Sequence, residues 1–138
     1  MNRDTISTLL CAPSTALLAR ILLTAPFWIN GLTKAFDFAG GVAEMEHLGF
    51  APGVVYCVLT IVLHLVASAL IIAQRWTWIA AGALGVFTLL TIALVHRFWM
   101  FDGLRHTIAL YTAEEHIGMI GGLIAISILA ARDHRRMR

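Results

Sequence analysis

Four apolar runs, each close to bilayer length, leave this chain few ways to fold. A helix needs roughly 20 mostly apolar residues to cross the hydrocarbon core. Candidate spans lie at about 14–34, 54–73, 76–96 and 111–131. The apolar part of the last begins only at Ile117, so its first turns are expected in the interface. The alternative of a water-soluble globule fails on composition. Of 138 residues, 59% are hydrophobic and 13% charged, with mean hydropathy +0.83. Soluble domains hold about 45–50% apolar and about 25% charged residues, and a chain this short has too little interior to hide such an excess. The expected fold is all-α: an integral membrane four-helix bundle, one domain over residues 1–138.

The net charge of +2 comes mainly from a basic C-terminal stretch. No runs of Lys or Arg interleaved with aromatics occur, which argues against nucleic acid as a partner. Arg20 interrupts the first apolar run and no small-x-small cleavage site follows before Pro26, so that run reads as a retained helix rather than a signal peptide. Basic residues set orientation. With the N-terminus inside, the inner side collects Arg3, Arg75, Arg132, Arg135, Arg136 and Arg138, and the outer side Lys34, Arg97 and Arg105. That bias favours both termini in the cytoplasm and, for a bacterial or archaeal cell, the cytoplasmic (inner) membrane. Cys11 and Cys57 fall on opposite sides and form no Cys-x-x-Cys pair, so they read as small apolar filler rather than a disulfide.

Helices associate in lipid through small residues and polar contacts. The third span offers Thr77, Ala81, Gly85 and Thr88 at helical spacing, and the fourth a Gly118/Gly122 pair expected to pack closely against a neighbour. The second span places Cys57, Thr60, His64 and Ser68 on one face. His64 falls near the midplane, where an ionisable group is costly and marks a site by default. On the first span, Arg20, Phe27, Gly31 and Lys34 are 7, 4 and 3 residues apart, a narrow stripe at about 100° per residue. Arg20 either finds a partner inside the bundle, such as Ser68, or snorkels to the headgroups. Pro26 is a candidate kink.

Polar residues gather at the outer end: Lys34, His96, Arg97, Asp102, Arg105, His106, Glu114, Glu115 and His116, with the aromatics Trp99 and Tyr111. An ordinary wet loop accounts for them; so does the mouth of a pocket, with Lys34 meeting Glu114 or Glu115. Imidazole suits zinc or copper, so His96, His116 and Glu115 could chemically hold a metal. No dense His-x-x-His pattern supports one, and none is assigned.

These residues resemble the DoxX family of small bacterial and archaeal membrane proteins. The carriers are Arg20, then Phe27 with Gly31-Leu32-Thr33-Lys34, an outer loop ending Leu48-Gly49-Phe50, a polar group in the second span, and His96 followed by Phe98-Trp99. A glycine-containing fourth span completes the pattern. The resemblance implies a four-helix membrane bundle. It also implies work near quinone, since some members are subunits of a thiosulfate:quinone oxidoreductase and others are linked to redox stress. The chain departs from the family where an acid followed by glycines is common: here the second span reads His64-Leu65-Val66-Ala67-Ser68-Ala69. A base stands where an acid could have paired with Arg20.

Two function classes follow. The first is a membrane oxidoreductase, or a subunit of one, with quinone as candidate cofactor. His64, Glu115 and His116 would then be the catalytic groups, and Arg20, Phe27, Gly31, Lys34, His96 and Trp99 the pocket. A quinone site needs donors for the carbonyl oxygens and a proton source. No dinucleotide fingerprint, P-loop or Cys cluster is present, so electrons would come from a redox partner protein or the quinone itself. The second class is a non-catalytic anchor or assembly subunit. Membrane lipid is a partner under both, and a homo-oligomer is compatible with either. A transporter fits less well, because four spans without repeats make a poor alternating-access machine.

Overall fold

The computed structural model describes residues 3–136, with side chains as far as Asp133. The Arg138 counted in the charge bias lies outside the described residues. Six α-helices follow one another: α1 (Arg3–Cys11), α2 (Pro13–Phe36), α3 (Phe38–His47), α4 (Gly53–Ile72), α5 (Thr77–Leu94) and α6 (Gly103–Arg136), with one 3₁₀ turn at Phe98–Met100. No strand occurs among the described residues. Four of these segments, within α2, α4, α5 with its following turn, and α6, are long and apolar enough to cross a membrane. The protein is an all-α, multi-pass membrane protein.

The spans α2, α4, α5 and α6 form the bundle. α2 packs along α4, α5 along α6, and α4 against α5, whereas α2 and α6 touch only lightly. The α4–α5 connection defines one end of the bundle, called here the hairpin end. Its turn is a Schellman closure, with Gln74 N–H donating to Ile71 O and Arg75 N–H to Leu70 O. Gln74 takes φ 55° there, the left-handed conformation that closure needs. α3 lies across the opposite end, called the α3 end, and packs on α4 and α2. The core near the hairpin end joins Phe27, Ala67, Ile71, Ala81, Leu84 and Leu123.

Two short helices, α1 and α3, lie outside the expected spans. Pro13 opens α2 at a first-turn position where its missing N–H costs nothing, and α1 precedes that break. α3 is capped by Asp37, whose side chain accepts from Gly40 N–H. It ends in a second Schellman closure with Gly49 at φ 88°. α6 starts at Gly103, not near Tyr111. At 34 residues it reaches about 50 Å at 1.5 Å per residue, longer than the roughly 30 Å hydrocarbon layer. Pro26 lies inside α2, which continues through it without a break. Thr24 and Trp28 donate to the carbonyls of Arg20 and Ile21 in the turn before it, tying side chains to the backbone beside the Leu22 carbonyl that the proline cannot bond.

The small-residue faces behave unequally. Thr77, Ala81 and Thr88 are buried, but Gly85 borders open space. A Cβ on Gly122 would come within 2.6 Å of Leu23 Cδ1 on α2, so this glycine admits the neighbouring helix. Gly118 has nothing within 4 Å of such a Cβ and is exposed. The expected close packing therefore holds for Gly122 and fails for Gly118. α6 turns only one edge of its glycine stripe toward α2.

Candidate functional site

Two polar stripes meet inside the bundle. On α2 the buried residues are Arg20, Thr24, Phe27, Gly31 and Lys34, spaced so that one helical face carries them all. On α4 they include Cys57, Thr60, His64 and Ser68. The stripes interlock at Gly31, where an added Cβ would approach His64 Cβ to 3.1 Å and Leu65 Cδ2 to 3.0 Å. A larger residue at that position would make His64 and Leu65 give way by a few tenths of an ångström.

His64 is 4% exposed. Its ring meets Phe27 edge-on at 5.4 Å and Phe87 of α5 at 4.6 Å, centroid to centroid. Neither Nδ1 nor Nε2 has a hydrogen-bond partner. Leaving buried donors and acceptors unmade costs about 1–3 kcal/mol each, so such groups persist where water or a ligand completes them. The result is a polar tip between two aromatic walls, near the middle of α4.

Lys34 stands one turn beyond Gly31 toward the α3 end and is 5% exposed. Its ammonium donates to Glu44 Oε2 of α3 at 2.5 Å. The stem passes Gly41, where a Cβ would meet Cys57 Sγ at 2.8 Å and Lys34 Cβ at 3.3 Å. This corrects the expected pairing. Lys34 is held by an acid on the helix that caps the bundle, and neither Glu114 nor Glu115 pairs with it; both are exposed. The reason is α3. As a helix rather than a loop, it carries Glu44 back over the end of α2.

Arg20 is 7% exposed, so it enters the bundle instead of snorkelling to open headgroups. Its Nε has no partner, and neither does Ser68 Oγ, so the bond considered between them is not made. Among the described residues no carboxylate pairs with Arg20. It lies about 21 Å from Lys34 along α2, at 1.5 Å rise per residue. The two cations therefore belong to opposite ends of the bundle and cannot line one small pocket.

The remaining candidates form a separate cluster at the α3 end, between α5 and α6. His96 and His116 meet ring to ring, with centroids 5.1 Å apart. His106 donates from Nδ1 to Phe98 O at 2.8 Å, holding the 3₁₀ turn against α6. Trp99 packs its edge on Phe98 but is otherwise exposed, and Glu115 is exposed beside His116. No hydrogen bond or ring contact joins His64 to His116. Of the residues singled out in the sequence, Phe27, Gly31 and His64 come together, with Lys34 one turn away; His96 and His116 form their own pair; Arg20 and Trp99 join neither. Phe87, Gly41 and Glu44 are the additions. Only Glu44 had a readable signal, as an acid within reach of Lys34. Both cysteines are free, Cys57 buried and Cys11 exposed.

No curated protein and no solved structure gives a significant match to this chain. The sequence pattern of the DoxX family does match, over residues 15–97, and it takes in all but the first two residues of the α2–α3–α4–α5 unit that surrounds His64 and Lys34. The protein belongs to the DoxX family.

Proposed function

We propose that this protein is a membrane oxidoreductase, or a subunit of one, that acts on a quinone within the bundle. The observation that carries this reading is His64, a buried imidazole with both nitrogens unpartnered between Phe27 and Phe87. A quinone ring is flat and apolar, with two carbonyl oxygens that need donors. Aromatic walls suit its faces. An imidazole N–H suits a carbonyl and can hand over a proton as the ring is reduced. Lys34, one turn away and held by Glu44, raises the local positive potential and favours the reduced, anionic form. Electrons come from a partner protein, since the chain carries no redox motif of its own.

His96, His116, Glu115 and Trp99 stand apart from this centre, and their role in a proton relay would run through water. In this reading both termini face the cytoplasm and the protein resides in the cytoplasmic membrane. Purification from native membranes, followed by extraction of bound lipids, tests the proposal. Co-purifying quinone together with a redox protein is the expected outcome. A chain that emerges free of quinone, and that takes up none when supplied, overturns it.

A second reading, a non-catalytic anchor, has its own support. An open apolar groove of about 520 Å³ runs between α5 and α6, lined by Trp78, Gly82, Val86, Ile120, Ile124 and Ile128. Two exposed glycines, Gly118 and Gly121, lie along the same helix. Such faces let another membrane helix approach closely.

A further inference from the structure

We propose that His96 and His116 form a binding site for a first-row divalent cation of the nickel–copper–zinc group, at the α3 end of the bundle. The site is independent of the quinone reading, because His64 shares no contact with either ring.

Geometry is the first argument. The two ring centroids lie 5.1 Å apart, with the planes at 69°. A metal–nitrogen bond is about 2.0–2.1 Å, and an imidazole centre lies ~1.1 Å beyond its ligating nitrogen, so each ring centre would sit ~3.2 Å from a shared ion. Two such rings at a tetrahedral angle have centres ~5.2 Å apart. The observed ring centres are already at that separation.

The second argument is an orphaned atom. His116 Nδ1 is shut off from solvent and has no hydrogen-bond partner. By contrast, His106 at the same end is satisfied by Phe98 O. The unsatisfied nitrogen is therefore confined to the pair, and a coordinated cation would use it.

The third argument is that the backbone on one side is fixed. The N–H groups of Val95 and His96 both donate to Thr91 O at 2.9 Å, which locks the turn that ends α5. His116 stands inside the continuous helix α6. Ligands on rigid elements hold a geometry better than ligands on loops.

Ligand chemistry selects the ion. Neutral imidazole suits nickel, copper and zinc, while magnesium and calcium demand oxygen. Among the described residues no group of three or more His, Cys, Asp or Glu converges. Two positions would therefore be protein-bound and the others filled by water reaching the half-buried pair. The expected order of affinity puts copper above nickel and zinc.

The test uses the full-length chain without an affinity tag, in detergent, titrated calorimetrically with CuCl₂, NiCl₂, ZnCl₂ and MgCl₂. One equivalent of copper should bind more tightly than nickel or zinc, and magnesium should not bind. His96→Phe and His116→Phe should each weaken copper binding at least tenfold, while His47→Ala, on the exposed face of α3, should leave it unchanged. Copper binding that persists in His96→Phe/His116→Phe, or that falls equally in His47→Ala, overturns the site. Electron paramagnetic resonance of the unmodified protein with one equivalent of Cu²⁺ decides the matter without a variant. Nitrogen coupling from two imidazoles is expected, and a spectrum with one or none refutes the pair.

Discussion

Lys34 of α2 donates to Glu44 of α3, with the lysine 5% exposed and the glutamate side chain 52% exposed. The pair is asymmetric: the cation is buried and its counter-ion stands at the surface. Removing the acid strands a charge in a dry place, whereas removing the base leaves an acid that water can still solvate. Glu44→Gln should therefore destabilise the protein more than Lys34→Met. The difference should be of order 1 kcal/mol, between the small worth of exposed pairs and the large cost of breaking buried ones. Thermal melting in detergent reads it. The double variant should melt no lower than Glu44→Gln alone, and strict additivity would show that the contact is not energetically coupled.

Gly41 is where α3 crosses the bundle. An added Cβ would lie 2.8 Å from Cys57 Sγ, and Cys57 is fully buried, so the sulfur has little room to retreat. Gly41→Val should cost about 1–3 kcal/mol through overpacking. Cys57→Ala should recover part of that loss by removing the sulfur. If the melting temperature of Gly41→Val matches that of the unmodified protein, α3 does not sit on α4 as described.

Gly118 and Gly122 look equivalent in the sequence and are not equivalent in the fold. Gly122→Leu should destabilise the bundle, because its side chain must displace Leu23. Gly118→Leu should leave monomer stability within about 0.5 kcal/mol, as for substitutions away from packed contacts. Equal effects at the two positions would contradict the register of α6 on α2. An altered oligomeric state in Gly118→Leu alone would instead favour the anchor reading, because that glycine faces outward.

The four spans were legible because lipid demands long apolar runs and little else in the sequence competes with that signal. The inward face of α2 was legible too, since Arg20, Phe27, Gly31 and Lys34 share one helical stripe. α3 was not. Its stretch Phe38–His47 holds two glycines and two acids, which by propensity reads as a loop. Tertiary packing overrides this, with Gly41 accommodating the crossing at Cys57. Missing α3 sent Lys34 toward Glu114 and Glu115, because those acids head the only other helix foreseen at that end. His96 and His116 were legible as members of the polar gathering at the outer end, but their direct ring-to-ring pairing without Glu115 was not. The two residues are twenty positions apart, and only the antiparallel register of α5 against α6 brings their rings together.

The proposed orientation, with both termini in the cytoplasm, rests on the charge bias, six basic residues on the side it calls inner against three on the other. The hairpin end carries Arg75, Arg132 and the start of α2, while the α3 end carries Arg97 and Arg105. Reporter fusions after Arg138 should score cytoplasmic, and fusions near Ala43 in α3 should score exported. An exported signal after Arg138 would reverse the topology and place the Lys34–Glu44 pair on the cytoplasmic side.

The sharpest test of function is His64→Phe. The imidazole already stands among aromatic rings, edge-on to Phe27 and Phe87, and none of its polar atoms bonds to the protein. Phenylalanine is comparable in size and removes two unsatisfied nitrogens from a dry interior, each costing about 1–3 kcal/mol to leave unmade. On stability alone the substitution should be neutral or favourable, with the melting temperature unchanged or raised. On function it should be severe, because phenylalanine can neither donate to a quinone carbonyl nor pass a proton. If quinone reduction by the protein and its partner runs through His64, loss of one general acid should slow it by about 10²–10⁴-fold. Stability and activity should therefore move in opposite directions, which a purely structural histidine cannot produce. A His64→Phe variant that melts lower and turns over normally would return His64 to packing, and the anchor would become the better account of this protein.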